Sequence, residues 1–120
     1  IRDRPRTDWP TVFNLLKSME IKKIGIGVAV AIPEGFYGRI APRSSLGSKG
    51  IIVHGGVVDA DYRGEIMVVL QNNNDTSIAF KMGDKIAQLI LESITTPTLE
   101  VVESLDDTHR GDSGFGSTGR

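Results

Sequence analysis

Four short segments of this chain combine charged or hydroxyl side chains with glycines, a mixture suited to binding phosphate and activating water. In the first, residues 38–47, a strand runs into Pro42, and Arg43-Ser44-Ser45 then open a turn or one helical turn. The Arg43 guanidinium, the Ser44 hydroxyl and free backbone N–H groups would form an anion site. The simpler alternative is a helix-capping serine beside a surface arginine.

The second segment, residues 55–65, holds the candidate for a general base. Gly55 and Gly56 would let the backbone approach a ligand closely. Asp59 follows a hydrophobic pair and could lie partly desolvated, which suits a carboxylate that takes a proton from water. Tyr62, three residues further on, could present its ring to a sugar. The alternative interpretation is a tight turn with capping aspartates.

The third segment, residues 83–90, places a polar side chain inside an apolar strand. Gly83-Asp84 forms the turn that begins it, and Gln88 follows within the strand. If it is buried, Gln88 needs a hydrogen-bond partner. A ligand and a neighbouring backbone are the two candidates.

The fourth segment is the glycine-rich tail, residues 110–119, with four glycines in ten positions. Arg110 offers a planar fork that suits phosphate oxygens, and Phe115 could stack on a flat ligand. Gly116 lets main-chain N–H groups crowd around an anion, and Ser117 and Thr118 add hydroxyl donors. The composition suggests a mobile lid over a nucleoside polyphosphate, with plain disorder as the alternative.

Short β-strands must position these segments, because apolar runs alternate with turn signals roughly every ten residues along the chain. The predicted strands are residues 24–32, 36–41, 51–53, 57–58, 65–70, 78–80, 86–94 and 99–102. This pattern indicates an all-β sandwich or jelly roll.

The N-terminal part differs from this β pattern. Val12, Leu15, Leu16 and Met19 are spaced as on one face of a helix. A short helix before the β core is therefore predicted, with Asp8 or Thr11 as its cap and Pro10 in its first turn. An irregular strand is the alternative.

Composition narrows the class of protein. The 120 residues suffice for one domain, and 39% hydrophobic with 24% charged residues is ordinary for a soluble globular chain. A formal net charge of -1 indicates neither nucleic acid nor an anionic membrane as a partner. With no cysteine and no apolar run near about 18 residues, we expect a soluble intracellular protein without thiolate chemistry.

Taken together and in this order, the four segments resemble motifs two to five of the homotrimeric dUTPase (deoxyuridine triphosphate nucleotidohydrolase) family. The matching stretches are GRIAPRSSL at 38–46, GVVDADYRGE at 56–65, GDKIAQLI at 83–90 and RGDSGFGSTG at 110–119. The resemblance implies one jelly-roll (β-clip) domain, in which a β core at 24–103 lies between a divergent N-terminal segment at 1–23 and a flexible lid at 104–120.

The same resemblance implies hydrolysis of dUTP to dUMP and pyrophosphate with Mg²⁺, in active sites shared by three subunits. Asp59 looks like the carboxylate that orients and deprotonates the attacking water, and Tyr62 like the ring that packs on deoxyribose. The other positions carried over are Gly56, Val57 and Val58 for uracil, Arg43, Ser44, Ser45, Gln88 and Arg110 for the phosphates, Phe115 for stacking, and Gly116, Ser117 and Thr118 for closure.

One departure concerns the metal. The family's first motif, whose aspartate helps to hold the hydration shell of Mg²⁺, is not recognisable in this sequence. Asp8 lies at nearly the expected distance before Pro33 and is the candidate to replace it, through water. A catalytically weak dUTP-binding homologue and a dCTP deaminase-like enzyme are the alternatives.

Overall fold

The computed structural model describes residues 1–3 and 14–115. Within them the chain forms ten short strands and one helical turn, so the all-β prediction is confirmed. The elements are β1 Arg2–Asp3, β2 Asn14–Leu16, β3 Ile21–Gly25, β4 Val28–Ala29, β5 Phe36–Ala41, α1 Ser44–Gly47, β6 Ile51–His54, β7 Val57–Val58, β8 Met67–Asn72, β9 Ile78–Phe80 and β10 Gln88–Ser93.

The strands pair antiparallel in four small sheets. Two sheets have three strands, in the orders β10-β5-β7 and β3-β8-β6, and two are the pairs β1-β4 and β2-β9. Apolar side chains of both three-stranded sheets pack together in one core. Along β8, buried residues alternate with less buried ones, because successive side chains of a strand point to opposite faces of the sheet. Within the part of the chain described, no helix has the length and apolar character to cross a membrane.

The predicted strand at 24–32 is divided by a glycine bend. β3 ends at Gly25, Gly27 has a φ of +76°, and β4 begins at Val28. A positive φ is cheap only for glycine, so this residue can break the pleat where a side chain would resist.

The predicted N-terminal helix is wrong for the residues that the structure describes. Residues 14–16 form β2, and Leu15 and Leu16 lie opposite Ala79 and Ile78 of β9. Leu16 is fully buried whereas Leu15 is 41% exposed, which is the alternation of a strand. The proposed caps and first turn at Asp8, Pro10 and Thr11 fall outside the described residues.

The predicted strand at 99–102 is also wrong. The described part of the chain has no strand after β10, and Leu99 and Val101 are 92% and 99% exposed. The backbone N–H and C=O groups of a strand need a neighbouring strand to bond with, and no strand in the described residues pairs with this stretch.

A buried amide of β8 ties β2 to its neighbouring sheet. Asn72 is fully buried, and its side-chain nitrogen donates to the carbonyl oxygens of Leu16 and Thr76 at 3.1 and 2.8 Å. Its side-chain oxygen accepts the backbone and side-chain N–H groups of Asn74 at 3.1 and 2.9 Å. All four hydrogen-bonding positions of the amide are therefore filled.

Candidate active site

Strand β5 brings three of the four predicted segments together. It pairs with β7 through Gly38 opposite Val58, and with β10 through Ala41 opposite Gln88. The segments 38–47, 55–65 and 83–90 therefore meet where β5 ends. No local pattern in the sequence shows this meeting, because each pairing joins residues distant along the chain.

Gly56 makes the closest of these approaches. The Ile40 N–H donates to the Gly56 carbonyl oxygen at 2.7 Å, and Gly56 has a φ of +98°. A Cβ atom added there would lie 2.6 Å from the Ile40 carbonyl oxygen. Both conformation and space therefore require glycine at this position.

A cleft of about 190 Å³ opens beside this contact. Five residues of the second segment line this cleft, and three apolar residues that were not among the predicted site residues complete the lining. The lining residues are Ile40, Gly56, Val57, Val58, Asp59, Tyr62, Ile66 and Met67. The volume is below the 300–1,000 Å³ usual for small-molecule sites.

Asp59 and Tyr62 begin and end one tight turn at the cleft. The Tyr62 N–H donates to the Asp59 carbonyl oxygen at 3.1 Å, and the exposed Asp59 carboxylate lies at the lining. The Tyr62 side chain is 42% exposed, and its hydroxyl donates to the Glu65 carbonyl oxygen at 2.7 Å. The turn thus presents a carboxylate and an aromatic ring to the same space.

Three of the phosphate-binding candidates, Arg43, Ser44 and Ser45, lie in the turn that follows β5. Ser44 and Ser45 open α1 and are exposed, while Arg43 occupies the N-cap position without a side-chain capping bond. The alternative of a capping serine is therefore wrong. The Arg43 guanidinium donates to the Lys85 carbonyl oxygen at 3.4 Å, which links this turn to the third segment.

Gln88 resolves one choice that the sequence left open. Its side chain is exposed, and its amide nitrogen donates to the Pro42 carbonyl oxygen at 3.0 Å. A neighbouring backbone is thus its partner in the single chain. The bond joins β10 to the residue just before the Arg43 turn.

The described part of the tail does not line the cleft. Arg110 folds back on its own turn, with Nε donating to the Ser113 carbonyl oxygen at 2.5 Å. Phe115 is fully exposed. Gly116, Ser117 and Thr118 fall outside the described residues, as does Asp8. Nothing in residues 1–3 and 14–115 gathers three carboxylate or imidazole groups around a possible metal.

A polar triad that sequence reasoning missed lies on β5 and its partner β10. The Tyr37 hydroxyl and the Arg39 Nε both donate to one Glu92 oxygen at 2.7 Å. The bond from Tyr37, and then that from Arg39, lowers the pKa of Glu92, while the same contact with Glu92 raises the pKa of Tyr37. The signal was an opposite-charge pair on facing strands, which needs the register to be recognised.

Comparison with known proteins agrees with this architecture. A family model described as dUTPase matches residues 13–119. The deoxyuridine 5'-triphosphate nucleotidohydrolase of Paramecium bursaria Chlorella virus 1 is 54% identical over 97 residues, which are 80% of this chain and 69% of that protein. The vaccinia virus (strain Copenhagen) enzyme is 53% identical over 83% of this chain and 68% of its own, and the rice enzyme 57% over 77% and 54%.

Two solved structures show the same fold. The dUTPase of Staphylococcus bacteriophage 80alpha, solved with dUPNHPP, is 30% identical and has a TM-score of 0.75 over 90% of this chain and 81% of that one. A mutant dUTPase from phage phi11 of S. aureus, whose structure describes the coordination of a structural Mg(II) ion, is 24% identical with a TM-score of 0.74 over 88% and 91%.

The strand architecture and the solved structures define a small jelly-roll protein of the β-clip type, as the sequence predicted. Within that class the chain belongs to the dUTPase family. It spans between about half and two thirds of the length of the curated relatives described above.

Proposed function

We propose that this chain hydrolyses dUTP to dUMP and pyrophosphate by attack of water on the α-phosphate. Such a reaction limits the incorporation of uracil into DNA and supplies dUMP for the synthesis of dTMP. The observation that carries the proposal is the cleft, where the Asp59 carboxylate, the bare backbone of Gly56 and the Tyr62 ring meet in a chain that is more than half identical to named dUTPases.

Asp59 is the proposed general base. Its carboxylate is exposed at the cleft, so a water can lie between it and a bound phosphate. The carboxylate accepts a proton from that water while the water attacks phosphorus, and pyrophosphate departs on the opposite side. Holding water and phosphorus in line supplies much of the rate enhancement.

The backbone at 56–58 is the proposed uracil reader. Gly56 has no side chain to screen its peptide groups, and Val57 and Val58 continue the cleft wall. Main-chain N–H and C=O groups that pair with the edge of uracil would face the inverted donor-acceptor pattern of cytosine. Each group left unpaired costs about 1–3 kcal/mol, which is enough to reject dCTP.

The turn after β5 is the proposed phosphate site. Arg43, Ser44 and Ser45 lie there, and Gln88 is tied to the same turn through the Pro42 carbonyl oxygen. Hydroxyl and guanidinium donors in this position would hold the triphosphate and neutralise charge that develops on it. Arg110 would add a contact to the γ-phosphate when the tail closes.

Mg²⁺ fits this arrangement as an ion carried by the substrate. The described residues lack a cluster of three metal-binding side chains, which excludes among them a dedicated protein cage. Magnesium commonly keeps several waters and binds through substrate phosphates with one or two carboxylates. Asp8 is the proposed carboxylate, through water. When bound, the ion would neutralise the phosphate oxygens.

The lid and the trimer complete the proposal. Phe115 is fully exposed in the single chain, as expected of a ring that stacks on uracil only when substrate is present. The Cα radius of gyration is 19.3 Å, well above the roughly 14 Å of a compact chain of this length. Projecting apolar residues such as Leu99 and Val101 would be covered by neighbouring subunits, which would also enlarge the small cleft.

Pyrophosphate release from dUTP, dCTP, dTTP and UTP, with Mg²⁺ and with a chelator, tests this function. We expect turnover of dUTP on the order of 1 per second or faster with Mg²⁺, and at least about a hundredfold lower kcat/KM for the other nucleotides. Binding of dUTP without pyrophosphate release would support a regulatory homologue instead. Ammonia release from dCTP would indicate a deaminase.

A further inference from the structure

The Tyr62 ring is held at the cleft by its hydroxyl group. That hydroxyl donates to the Glu65 carbonyl oxygen at 2.7 Å. The ring lies over Gly64, where an added Cβ atom would come within 2.6 Å of the hydroxyl oxygen. The ring position therefore depends on a glycine beneath it and on the carbonyl group that accepts its proton.

The accepting carbonyl belongs to a peptide unit that is fixed at its other end. The Ile66 N–H of the same peptide donates to the Val28 carbonyl oxygen at 2.7 Å. Because the peptide is planar, fixing its N–H also fixes the direction of its C=O. The wall of the cleft is thus anchored to β4, an element outside the four predicted segments.

The Glu65 side chain secures this peptide to the glycine bend between β3 and β4. Ile66 bonds both Ile26 and Val28, and the buried Gly27 N–H between them donates to the Glu65 carboxylate at 2.7 Å. The carboxylate also lies against Gly25, where an added Cβ would approach its oxygen to 2.7 Å. The absence of a side chain at Gly25 therefore leaves the space that the carboxylate occupies, and Gly27 supplies its hydrogen-bond donor.

We propose that Glu65 is a positioning residue that sets the preference for deoxyribose over ribose. Seated on Gly25 and Gly27, it holds the peptide that anchors the Tyr62 hydroxyl, so the ring cannot retreat from a 2′-OH group. This inference rests on the proposed function. Rejecting one extra hydroxyl group by steric contact requires that the Tyr62 ring stay in place, because a displacement of about 1 Å in an active site can change a rate a hundredfold.

The ratio of kcat/KM for dUTP to that for UTP tests the proposal. We expect Glu65→Ala and Tyr62→Phe each to lower the ratio by about tenfold, mainly through faster use of UTP. Glu65→Gln should keep the ratio within about threefold, because its amide oxygen can still accept the Gly27 N–H. The double variant Tyr62→Phe/Glu65→Ala should fall no further than either single variant, since both act through one contact.

Glu34→Ala, which removes an exposed carboxylate from a turn, is the matched control and should leave the ratio unchanged. Gly64→Ala should lower the ratio by displacing the hydroxyl. If Glu65→Ala does not fold, Glu65→Asp, whose shorter side chain withdraws from Gly27, replaces it with the same expected loss. An unchanged ratio in the Glu65 variant, or effects that multiply in the double variant, would overturn this inference while leaving dUTP hydrolysis intact. A wild-type chain inactive on dUTP would overturn both.

Discussion

Among the proposed site residues, Asp59 has the most demanding chemical role. As a general base it should contribute about 10²–10⁴-fold to kcat while contributing little to substrate binding. Asp59→Asn keeps the shape of the side chain and removes its basicity. We therefore expect kcat to fall by about that factor while the Kd for a non-cleavable dUTP analogue, measured by titration calorimetry, changes less than about threefold.

Asp75→Asn, in the exposed turn after β8, is the control for loss of one surface carboxylate and should retain full activity. If Asp59→Asn weakened binding and turnover in equal measure, Asp59 would be a structural member of its turn and the base would have to be sought elsewhere.

Gly55 and Gly56 separate the two reasons for which a residue must be glycine. Both have positive φ, but only at Gly56 does an added Cβ meet an atom, the Ile40 carbonyl oxygen. Gly55→Ala should therefore cost only the left-handed conformation, about 1–2 kcal/mol of unfolding free energy. Gly56→Ala should add a backbone clash, for a total of about 3 kcal/mol or more by urea denaturation. Equal losses would mean that the β5–β7 contact relaxes freely.

At the scale of the elements, one buried amide links β2 to β8. Asn72→Ala should lower the free energy of unfolding by about 3 kcal/mol or more, because it removes four hydrogen bonds and leaves the buried Leu16 carbonyl oxygen without its amide donor. Asn73→Ala, one residue on and exposed, should cost less than about 1 kcal/mol. Similar losses for the two variants in chemical denaturation would contradict a specific role for Asn72.

Most strands between residues 24 and 94 were predictable from the sequence, whereas their ends and partners were not. The run at 65–70 became Met67–Asn72 because residues 65 and 66 are engaged by the bend at Gly27. The spacing of Leu15, Leu16 and Met19 fits a helix equally well, and only pairing with β9 decides in favour of a strand. The apolar alternation at 99–102 is real, but a single chain offers it no neighbour.

The candidate site was predictable to a different degree in each segment. The turn from Asp59 to Tyr62 is local, so its residues lie together as their spacing indicates. The bond between Gly27 and Glu65 could not be predicted, since it joins residues 38 positions apart. Local geometry can be predicted from sequence patterns, whereas contacts between distant residues become known only from the folded structure.

At the scale of the whole molecule, the proposal is that the tail and the assembly of subunits together determine activity. Removing residues 110–120 should leave an oligomer with three times the mass of the truncated chain, as measured by light scattering, because the exposed apolar residues proposed to lie between subunits precede the cut. The same truncation should reduce dUTP turnover by at least about a hundredfold, since Arg110 and Phe115 are lost. A truncated chain with normal turnover would refute the lid.

The most direct test of the central claim is a crystal structure with a non-cleavable dUTP analogue. We expect uracil against the backbone of residues 56–58, the sugar against the Tyr62 ring, and the Asp59 carboxylate within about 3 Å of a water in line with the α-phosphorus. A nucleotide bound away from this cleft, or an Asp59 carboxylate turned from the α-phosphate, would contradict it.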